Sequence, residues 1–150
     1  QIDKYAQMNI SCIGEYQNPK VQLLGVRGFP GNSICHKNSV FIPNHSKKVF
    51  VENKVDMVSS LGFNNNTYKP NIGIVVTNLC VFDFNGNENS LRLLSIHPGV
   101  SLDEIEENTG FKFEIFSESI SEIPTKTELK LIRNTLDPSG IRENIFGAKK

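Results

Sequence analysis

The sequence has few of the features that mark specialised classes of protein. Its 150 residues include three cysteines, and its 16 basic and 16 acidic side chains cancel to a formal net charge of zero. A balanced charge with no long basic run gives no sign of the basic surface that binds nucleic acid. No apolar stretch approaches the roughly 20 residues that a membrane-spanning helix needs. We therefore expect neither a nucleic-acid partner nor a membrane partner.

The cysteines are odd in number and far apart, at Cys12, Cys35 and Cys80. Their spacing matches neither a disulfide framework nor a zinc-ligand pattern. His36 and His45 lie near Cys35 in the sequence, but a further ligand at a suitable spacing is missing, so we predict no metal site. Each cysteine lies beside apolar residues, so we expect all three to be buried free thiols. Free thiols are typical of the cytoplasm, which is the location that we expect.

One loop combines three glycines at three-residue spacing, Gly25, Gly28 and Gly31, between an extended apolar run and a segment that can turn helical. Glycine lets backbone N–H groups approach a ligand without steric hindrance. Successive N–H groups in such a turn form a nest for a phosphate, a carboxylate or the oxyanion of an acyl-transfer intermediate. The spacing differs from the dinucleotide fingerprint, and no Lys-Ser/Thr pair follows as a phosphate loop requires. From spacing alone, a purely structural loop remains an alternative.

Short β-branched and aromatic runs predict the strands of the chain. Asn85-Gly86 is a typical hairpin turn, and residues 62–73 have the composition of a loop. The predicted strands cover 10–13, 21–24, 47–52, 55–58, 91–96 and 111–116, with two more in 74–84 joined by a bend at Thr77-Asn78, and a brief helix is predicted over 33–37.

Two further helices are indicated by capping boxes, in which a hydroxyl residue precedes a glutamate by three positions. The pairs are Ser101 with Glu104 and Thr125 with Glu128. Gly110 is placed to end the first of these helices in a left-handed conformation. Strands followed by alternating helices and strands indicate a single α/β or α+β domain.

Several segments of the chain are informative when they are taken together: 1–5 with Asn9, 20–32, 47–51, 75–84, 97–101 and 108–111. In order and spacing they resemble the β subunit of class I coenzyme A transferases, and the resemblance covers nearly the whole chain. The loop at 25–32 with Asn44-His45, 131–133 and Asp137-Pro138 resembles a branch whose members hydrolytically open the last steroid ring of a cholesterol-derived acyl-CoA.

This resemblance implies an α/β fold with an open, mostly parallel sheet flanked by helices. It implies that residues 1–150 form a single domain, the C-terminal portion of a β subunit whose N-terminal part is absent from this chain. It also implies a hetero-oligomer with an α subunit, an active site at the interface between the subunits, and an acyl-CoA substrate. No cofactor is expected beyond the coenzyme A of the substrate.

The resemblance also assigns site residues. Gly28 matches the second glycine of a Gly-Gly-Ala loop whose N–H groups stabilise an oxyanion, so its backbone N–H is the expected oxyanion donor. Arg27 replaces the first glycine and Phe29 the alanine, and a guanidinium at this position can pair with a carboxylate or a CoA phosphate. The residues expected to contact substrate or coenzyme A are Gly25, Arg27, Phe29, Gly31, Asn32 and His45.

Three functions stay open at this point. The leading one is hydrolytic carbon–carbon ring opening of a steroid-derived cyclic β-keto acyl-CoA, with the catalytic carboxylate supplied by the α subunit. The second is transfer of coenzyme A between carboxylic acids through a glutamyl-CoA thioester, whose glutamate lies in a motif upstream of Gln1. The third is a non-catalytic subunit that completes the fold of its partner.

Overall fold

Two short strands form a ribbon that is separate from the main sheet. In the computed structural model, which describes residues 1–64 and 67–146, β1 (Cys12–Ile13) pairs antiparallel with β2 (Val21–Gln22). The ribbon confirms the strands predicted within 10–13 and 21–24. It continues beyond β2 as single backbone hydrogen bonds to the residues before β1.

The main sheet of the described residues has five strands in the spatial order of their sequence, which is an open α/β arrangement as expected. The pairings of β3 with β4 and of β6 with β7 are parallel, whereas the two between them are antiparallel. The expectation of a mostly parallel sheet is therefore corrected to a mixed one, because β4, β5 and β6 are joined by short connections that reverse the chain. The strands are β3 (Asn38–Ile42), β4 (Ile72–Thr77), β5 (Cys80–Asp83), β6 (Arg92–Ile96) and β7 (Glu114–Ile115).

The bend predicted at Thr77-Asn78 is the turn between β4 and β5. The Thr77 hydroxyl accepts the backbone N–H groups of Leu79 and Cys80, each at 3.0 Å. A side-chain acceptor of this kind satisfies donors that a two-residue connection leaves unpaired. The threonine is therefore what closes the turn.

The described residues contain four α-helices, and both predicted capping boxes begin helices. The Ser101 hydroxyl accepts the N–H of Glu104, and Thr125 and Glu128 cap each other reciprocally. After α3 the chain continues through a π-helical segment (Ile132–Leu136). The helices are α1 (Phe29–Cys35), α2 (Leu102–Asn108), α3 (Lys126–Leu131) and α4 (Ile141–Phe146), and none is both long and apolar enough to cross a bilayer.

The core forms where α2 and the 43–50 segment pack against the sheet. Ile105 of α2 is fully buried, as are Phe50 and the sheet residues Phe82 and Leu93. The rings of Phe50 and Phe82 lie 6.1 Å apart in a tilted arrangement, which aromatic pairs favour. This aromatic cluster holds the loop that leads to His45 against the sheet.

Two predicted strands are wrong. Residues 47–49 form a turn in which the Ser46 carbonyl accepts the N–H groups of Val49 and Phe50, so the apolar run makes only one bridge, between Phe50 and Ile2. Residues 55–58 form no strand either. The amino-terminal residues instead make single bridges, Ile2 to Phe50 and Met8 to Ser60, which lies just beyond the second predicted strand.

Other predicted elements form, but their bounds in the structure differ from those predicted. The helix predicted at 33–37 begins at Phe29, and the 111–116 strand is reduced to β7. Asn85-Gly86 opens a longer loop rather than a two-residue hairpin, because a short 3-10 turn at Asn87–Asn89 intervenes. The predicted loop at 62–73 is irregular up to Asn71, except that Asn65 and Asn66 lie outside the described residues. No pattern had predicted β3.

Gly110 is needed for close approach rather than for a left-handed turn. Its φ is not in the left-handed region, and Thr109, in extended conformation, ends α2. A Cβ at Gly110 would overlap the carbonyl oxygen of Phe50 and lie 2.8 Å from the backbone nitrogen of Glu52. Its own N–H donates to that carbonyl oxygen at 2.8 Å. The backbones of α2 and the 50–52 segment therefore touch at this glycine.

We predict that Gly110→Ala lowers the free energy of unfolding by about 3 kcal/mol, because backbone atoms cannot yield to the added methyl group. Gly73→Ala is the matched control, since a Cβ in β4 meets its nearest atom at 3.9 Å. Chemical denaturation of the two variants measures the difference. Equal stability would show that the two backbones separate at no cost.

Candidate functional site

The glycine loop connects the ribbon to α1 and is fixed at both ends. At its start, Gly25 has a φ of 89° and donates its N–H to the carbonyl of Ile10 at 2.9 Å. At its end, Phe29 packs against the hydrophobic core and donates its N–H to Val26 at 2.9 Å. The loop is thus held in one shape by the surrounding structure.

Arg27 and Gly28 adopt backbone conformations of opposite hand. Arg27 has a φ of 43°, in the left-handed region, and Gly28 follows in the right-handed region with φ −83° and ψ 0°. A left-handed residue next to a right-handed one points successive N–H groups towards one concavity, which is the geometry of an anion-binding nest. The glycine pattern predicted such a nest, although the left-handed position falls on the arginine.

The N–H groups of this nest are available. Within residues 1–64 and 67–146, the backbone N–H groups of Val26, Arg27 and Gly28 have no hydrogen-bond acceptor. Arg27 and Gly28 are both exposed. The guanidinium of Arg27 makes no ion pair with any described residue. An exposed donor pair beside an unpaired cation is suited to an anion that arrives from outside this chain.

The other predicted contact residues of the loop differ in whether they lie beside the nest or pack against the core. Gly31 and Asn32 are exposed in the first turns of α1, and the side-chain amide nitrogen of Asn32 would lie 3.6 Å from a Cβ at Gly28. Asn32 therefore lies next to the nest. Phe29 packs its ring against the core, so it anchors the loop instead of facing the nest.

His45, one of the residues expected to contact substrate or coenzyme A, is buried in the core of this chain. Only 4% of its surface is exposed. Its Nδ1 lies 3.1 Å from the hydroxyl of Thr77 and its Nε2 lies 3.0 Å from the hydroxyl of Thr109. Its ring stacks on Phe50 with the centroids 4.0 Å apart. Both ring nitrogens are occupied and no face is open to a ligand.

The hydrogen bonds define the protonation of this histidine. Thr109 donates its hydroxyl proton to the carbonyl of Ile105 at 2.7 Å, so it accepts from Nε2–H of His45. The Thr77 hydroxyl oxygen already accepts two backbone N–H groups, so its proton is shared between the Cys80 carbonyl at 3.2 Å and Nδ1 of His45 at 3.1 Å, and Nδ1 is the unprotonated acceptor. Burial lowers the pKa of His45 from 6.5 to about 4. The imidazole is therefore neutral in the fold at neutral pH.

The partners of His45 could not be identified from the sequence. Thr77 lies 32 residues away and Thr109 lies 64 residues away. The backbone N–H of His45 also donates to the side chain of Asn78 at 2.8 Å. One imidazole thus joins the β4–β5 turn, the end of α2 and the 43–50 segment. No local spacing signals such a junction.

The three cysteines form no disulfide within the described residues, and the expectation that all of them are buried is wrong for Cys35, which lies exposed at the end of α1. Cys12 and Cys80 are buried and Cys35 is exposed. Burial raises the pKa of the Cys80 thiol to about 12, which makes that thiol unreactive. No cluster of three or more histidine, cysteine, aspartate or glutamate side chains suited to a metal occurs in the part of the chain that the structure describes.

Comparison with known proteins identifies relatives over nearly the whole chain, although no family model matches it. The chain is 41% identical over 95% of its length to the IpdB component of the cholesterol ring-cleaving hydrolase of Mycobacterium tuberculosis, and it covers 60% of that protein. It is 30% identical over 89% of its length to a component of the 3-oxoadipate CoA-transferase of Pseudomonas knackmussii, covering 54% of that protein. The chain thus spans little more than half the length of these relatives.

A solved structure supports the same relationship. The fold matches the crystal structure of IpdAB from Rhodococcus jostii with a TM-score of 0.90 and 39% sequence identity. The match covers 99% of this chain and 62% of that one. Sequence and backbone therefore agree on the relatives.

We predict that acid destabilises the fold through His45. Its pKa is lowered in the folded state, so its contribution to stability is complete above pH 6.5 and is lost as the pH falls towards about 4. The loss amounts to about 3 kcal/mol at pH 4, since each unit of pKa difference corresponds to about 1.4 kcal/mol. Urea unfolding between pH 4 and 7 measures it.

His45→Gln removes the titrating group and should flatten this part of the pH dependence. His36→Gln is the matched control, because His36 is exposed and its replacement should leave the profile unchanged. An identical pH profile for the unsubstituted chain and His45→Gln would contradict the assignment.

Proposed function

Since this chain is related in sequence and in fold to the β subunits of the CoA-transferase family, we propose that it acts, with an α subunit, on acyl-CoA thioesters. Within that family we propose hydrolytic ring opening of a steroid-derived cyclic β-keto acyl-CoA, which accords with the 41% identity to a component of a cholesterol ring-cleaving hydrolase. The observation that carries the proposal is the Arg27–Gly28 nest, whose N–H groups are free and exposed. We place the enzyme in the cytoplasm, where free thiols persist.

The reaction needs one water molecule and no redox partner. A carboxylate of the α subunit removes a proton from water, and the resulting hydroxide adds to the ring ketone. The bond between the ketone carbon and the α carbon of the thioester then breaks, and its electron pair moves into the thioester as an enolate. Protonation of that enolate leaves a new carboxylic acid and an intact thioester.

The chain contributes charge stabilisation to this sequence. Negative charge develops on the alkoxide and then on the enolate oxygen, and preorganised N–H donors stabilise such charge without reorganisation. Gly28 supplies one donor, and Arg27 supplies its own N–H from the left-handed conformation. Because the loop is fixed by Gly25 and by the core packing of Phe29, the donors hold their orientation before substrate arrives.

Arg27 also carries a cationic side chain beside the nest. Its guanidinium has no partner within the described residues and can form a bidentate pair with an anionic group of the substrate, a carboxylate or a CoA phosphate. A left-handed conformation costs a non-glycine residue about 1–2 kcal/mol. Glycine would avoid this cost, so the arginine occupies this position at the expense of some backbone strain.

We predict that Arg27→Gly separates stability from activity in the α–β complex. The free energy of unfolding should hold or rise by about 1 kcal/mol, because glycine relieves the left-handed strain but is more flexible when unfolded. The value of kcat/KM should fall roughly 10- to 100-fold, the effect of losing a hydrogen bond to a charged group. Arg27→Lys, which keeps the charge without the planar fork, should lie between the two.

Two further measurements complete this test. A cyclic acyl-CoA that carries no free carboxylate identifies the partner of Arg27: if the partner is a substrate carboxylate, turnover of this compound should not respond to Arg27→Gly, whereas a CoA-phosphate partner keeps it sensitive. Unchanged turnover of Arg27→Gly on every acyl-CoA would favour the non-catalytic subunit. Borohydride reduces a glutamyl-CoA thioester to an alcohol, so a reduced glutamate in the β subunit after incubation with acyl-CoA would establish the CoA-transferase mechanism instead.

A further inference from the structure

A serine and a histidine that the proposed function does not use meet at the end of β6. His97 follows β6 directly, and its Nδ1 lies 3.0 Å from the hydroxyl oxygen of Ser121. Ser95 lies two residues before His97, and the alternation of an extended chain directs both side chains to the same side. The hydroxyl of Ser95 lies 2.7 Å from that of Ser121. Three half-buried polar side chains therefore converge at one point.

Backbone hydrogen bonds bring Ser121 to this point. Ile96 donates its N–H to the carbonyl of Ser119 at 2.9 Å, and the Ile96 carbonyl accepts the N–H of Ser121 at 2.8 Å. On the other side of the pair, His97 donates its backbone N–H to the carbonyl of Leu79 at 2.9 Å. Because both partners are fixed through their main chains, the contact between the hydroxyl and the imidazole is built into the fold.

The hydrogen bonds also fix the direction of each proton. A carbonyl oxygen can only accept, so His97 carries its proton on Nε2 and donates it to the carbonyl of Thr77 at 3.0 Å. Nδ1 is then an unprotonated acceptor and receives the hydroxyl proton of Ser121. The Ser95 hydroxyl donates to the oxygen of Ser121. A hydroxyl paired with an imidazole that a third group orients is the arrangement of an activated nucleophile.

The residues after Ser121 supply the other parts of an acyl-transfer site. Within residues 1–64 and 67–146, the backbone N–H groups of Glu122 and Ile123 have no hydrogen-bond acceptor. In serine hydrolases of the α/β class, the N–H of the residue after the nucleophile is one of the oxyanion donors. A groove of about 420 Å³ begins at the same two residues, and its other walls are Pro124, Glu128, Leu131 and Ile132.

The walls of this groove indicate the class of substrate. Ile123, Leu131 and Ile132 are exposed, so an apolar acyl chain lying along them would remove apolar surface from water. Glu122 borders the groove and forms no ion pair with a described residue, so its charge opposes a carboxylate or a phosphate. An uncharged ester of an apolar acid therefore fits the groove better than a CoA thioester does.

We propose that Ser121 is the nucleophile of an esterase site for apolar acyl esters, with His97 as its general base. Oγ of Ser121 bonds to the carbonyl carbon and its proton moves to Nδ1, while the carbonyl oxygen takes up negative charge beside the free N–H groups of 122 and 123. The ester C–O bond then breaks, and the alcohol leaves with the proton from Nδ1. Water, deprotonated by the same nitrogen, hydrolyses the acyl-serine. The site is independent of the Arg27–Gly28 nest and of the proposed function.

The test is covalent labelling of the full chain, assembled with its α subunit, by an alkyl fluorophosphonate. The serine oxygen bonds to phosphorus, fluoride leaves, and fragmentation of the labelled peptide in a mass spectrometer locates the site. Ser121 should be labelled, and the complex should release 4-nitrophenol from 4-nitrophenyl butyrate. Ser121→Ala should lose both activities, and His97→Gln should slow both about 100-fold. Ser119→Ala is the matched control, an exposed serine two residues away, and should change neither.

A second variant decides the matter if His97→Gln does not fold. The thiol of Ser121→Cys should react with iodoacetamide about tenfold faster than the thiol of Ser119→Cys, because the adjacent imidazole favours the thiolate. Equal rates for these two thiols would overturn the inference. So would a phosphonate label on Ser121 that a folded His97→Gln leaves unchanged, or no label there at all. Release of 4-nitrophenol that persists in Ser121→Ala would also overturn it, by placing the esterase activity elsewhere.

Discussion

The left-handed backbone of Arg27 is the constraint on which the site depends. It reverses the chain between the ribbon and α1, and it directs consecutive N–H groups outward instead of into the helix. The fixed ends of the loop, Gly25 on the ribbon and Phe29 in the core, maintain that conformation. An arginine bears this strain where a glycine would not, and the same residue brings a positive charge to the nest. Backbone geometry and electrostatics are therefore supplied by one position.

The rest of the domain acts as a rigid support for this loop. His45 joins three segments through two threonine hydroxyls and a backbone N–H, and its stacking on Phe50 extends the aromatic cluster. At Gly110 the end of α2 touches the backbone of the 50–52 segment. Polar groups in such a network stabilise a fold only when every donor and acceptor is matched. The neutral imidazole meets that condition, and its protonated form would not.

Features encoded over a few neighbouring residues could be predicted from the sequence. The capping boxes at Ser101 and Thr125, the bend at Thr77 and the glycine loop all depend on chemistry within four residues. Features that depend on distant partners could not. The run at 47–52 has strand composition, but among the described residues it bridges only to Ile2 near the amino terminus. A histidine after Pro43-Asn44 suggests a contact residue. Its hydrogen-bond partners in the core, however, are threonines 32 and 64 residues away, which no local pattern reveals. The mostly parallel sheet was expected from the resemblance, whereas the reversals predicted at Thr77-Asn78 and Asn85-Gly86 are the connections that make the two central pairings antiparallel.

The central claim is that the Arg27–Gly28 amides hold a developing oxyanion at a site shared with the α subunit. The most direct measurement is a crystal structure of the α–β complex with a stable enolate analogue of the cyclic acyl-CoA. The account predicts that an oxygen of the analogue lies about 2.7–3.1 Å from the backbone nitrogen of Gly28, with a carboxylate of the α subunit on the opposite side of the ring. An analogue bound with its oxygen far from this loop, and with the nest facing solvent, would contradict it.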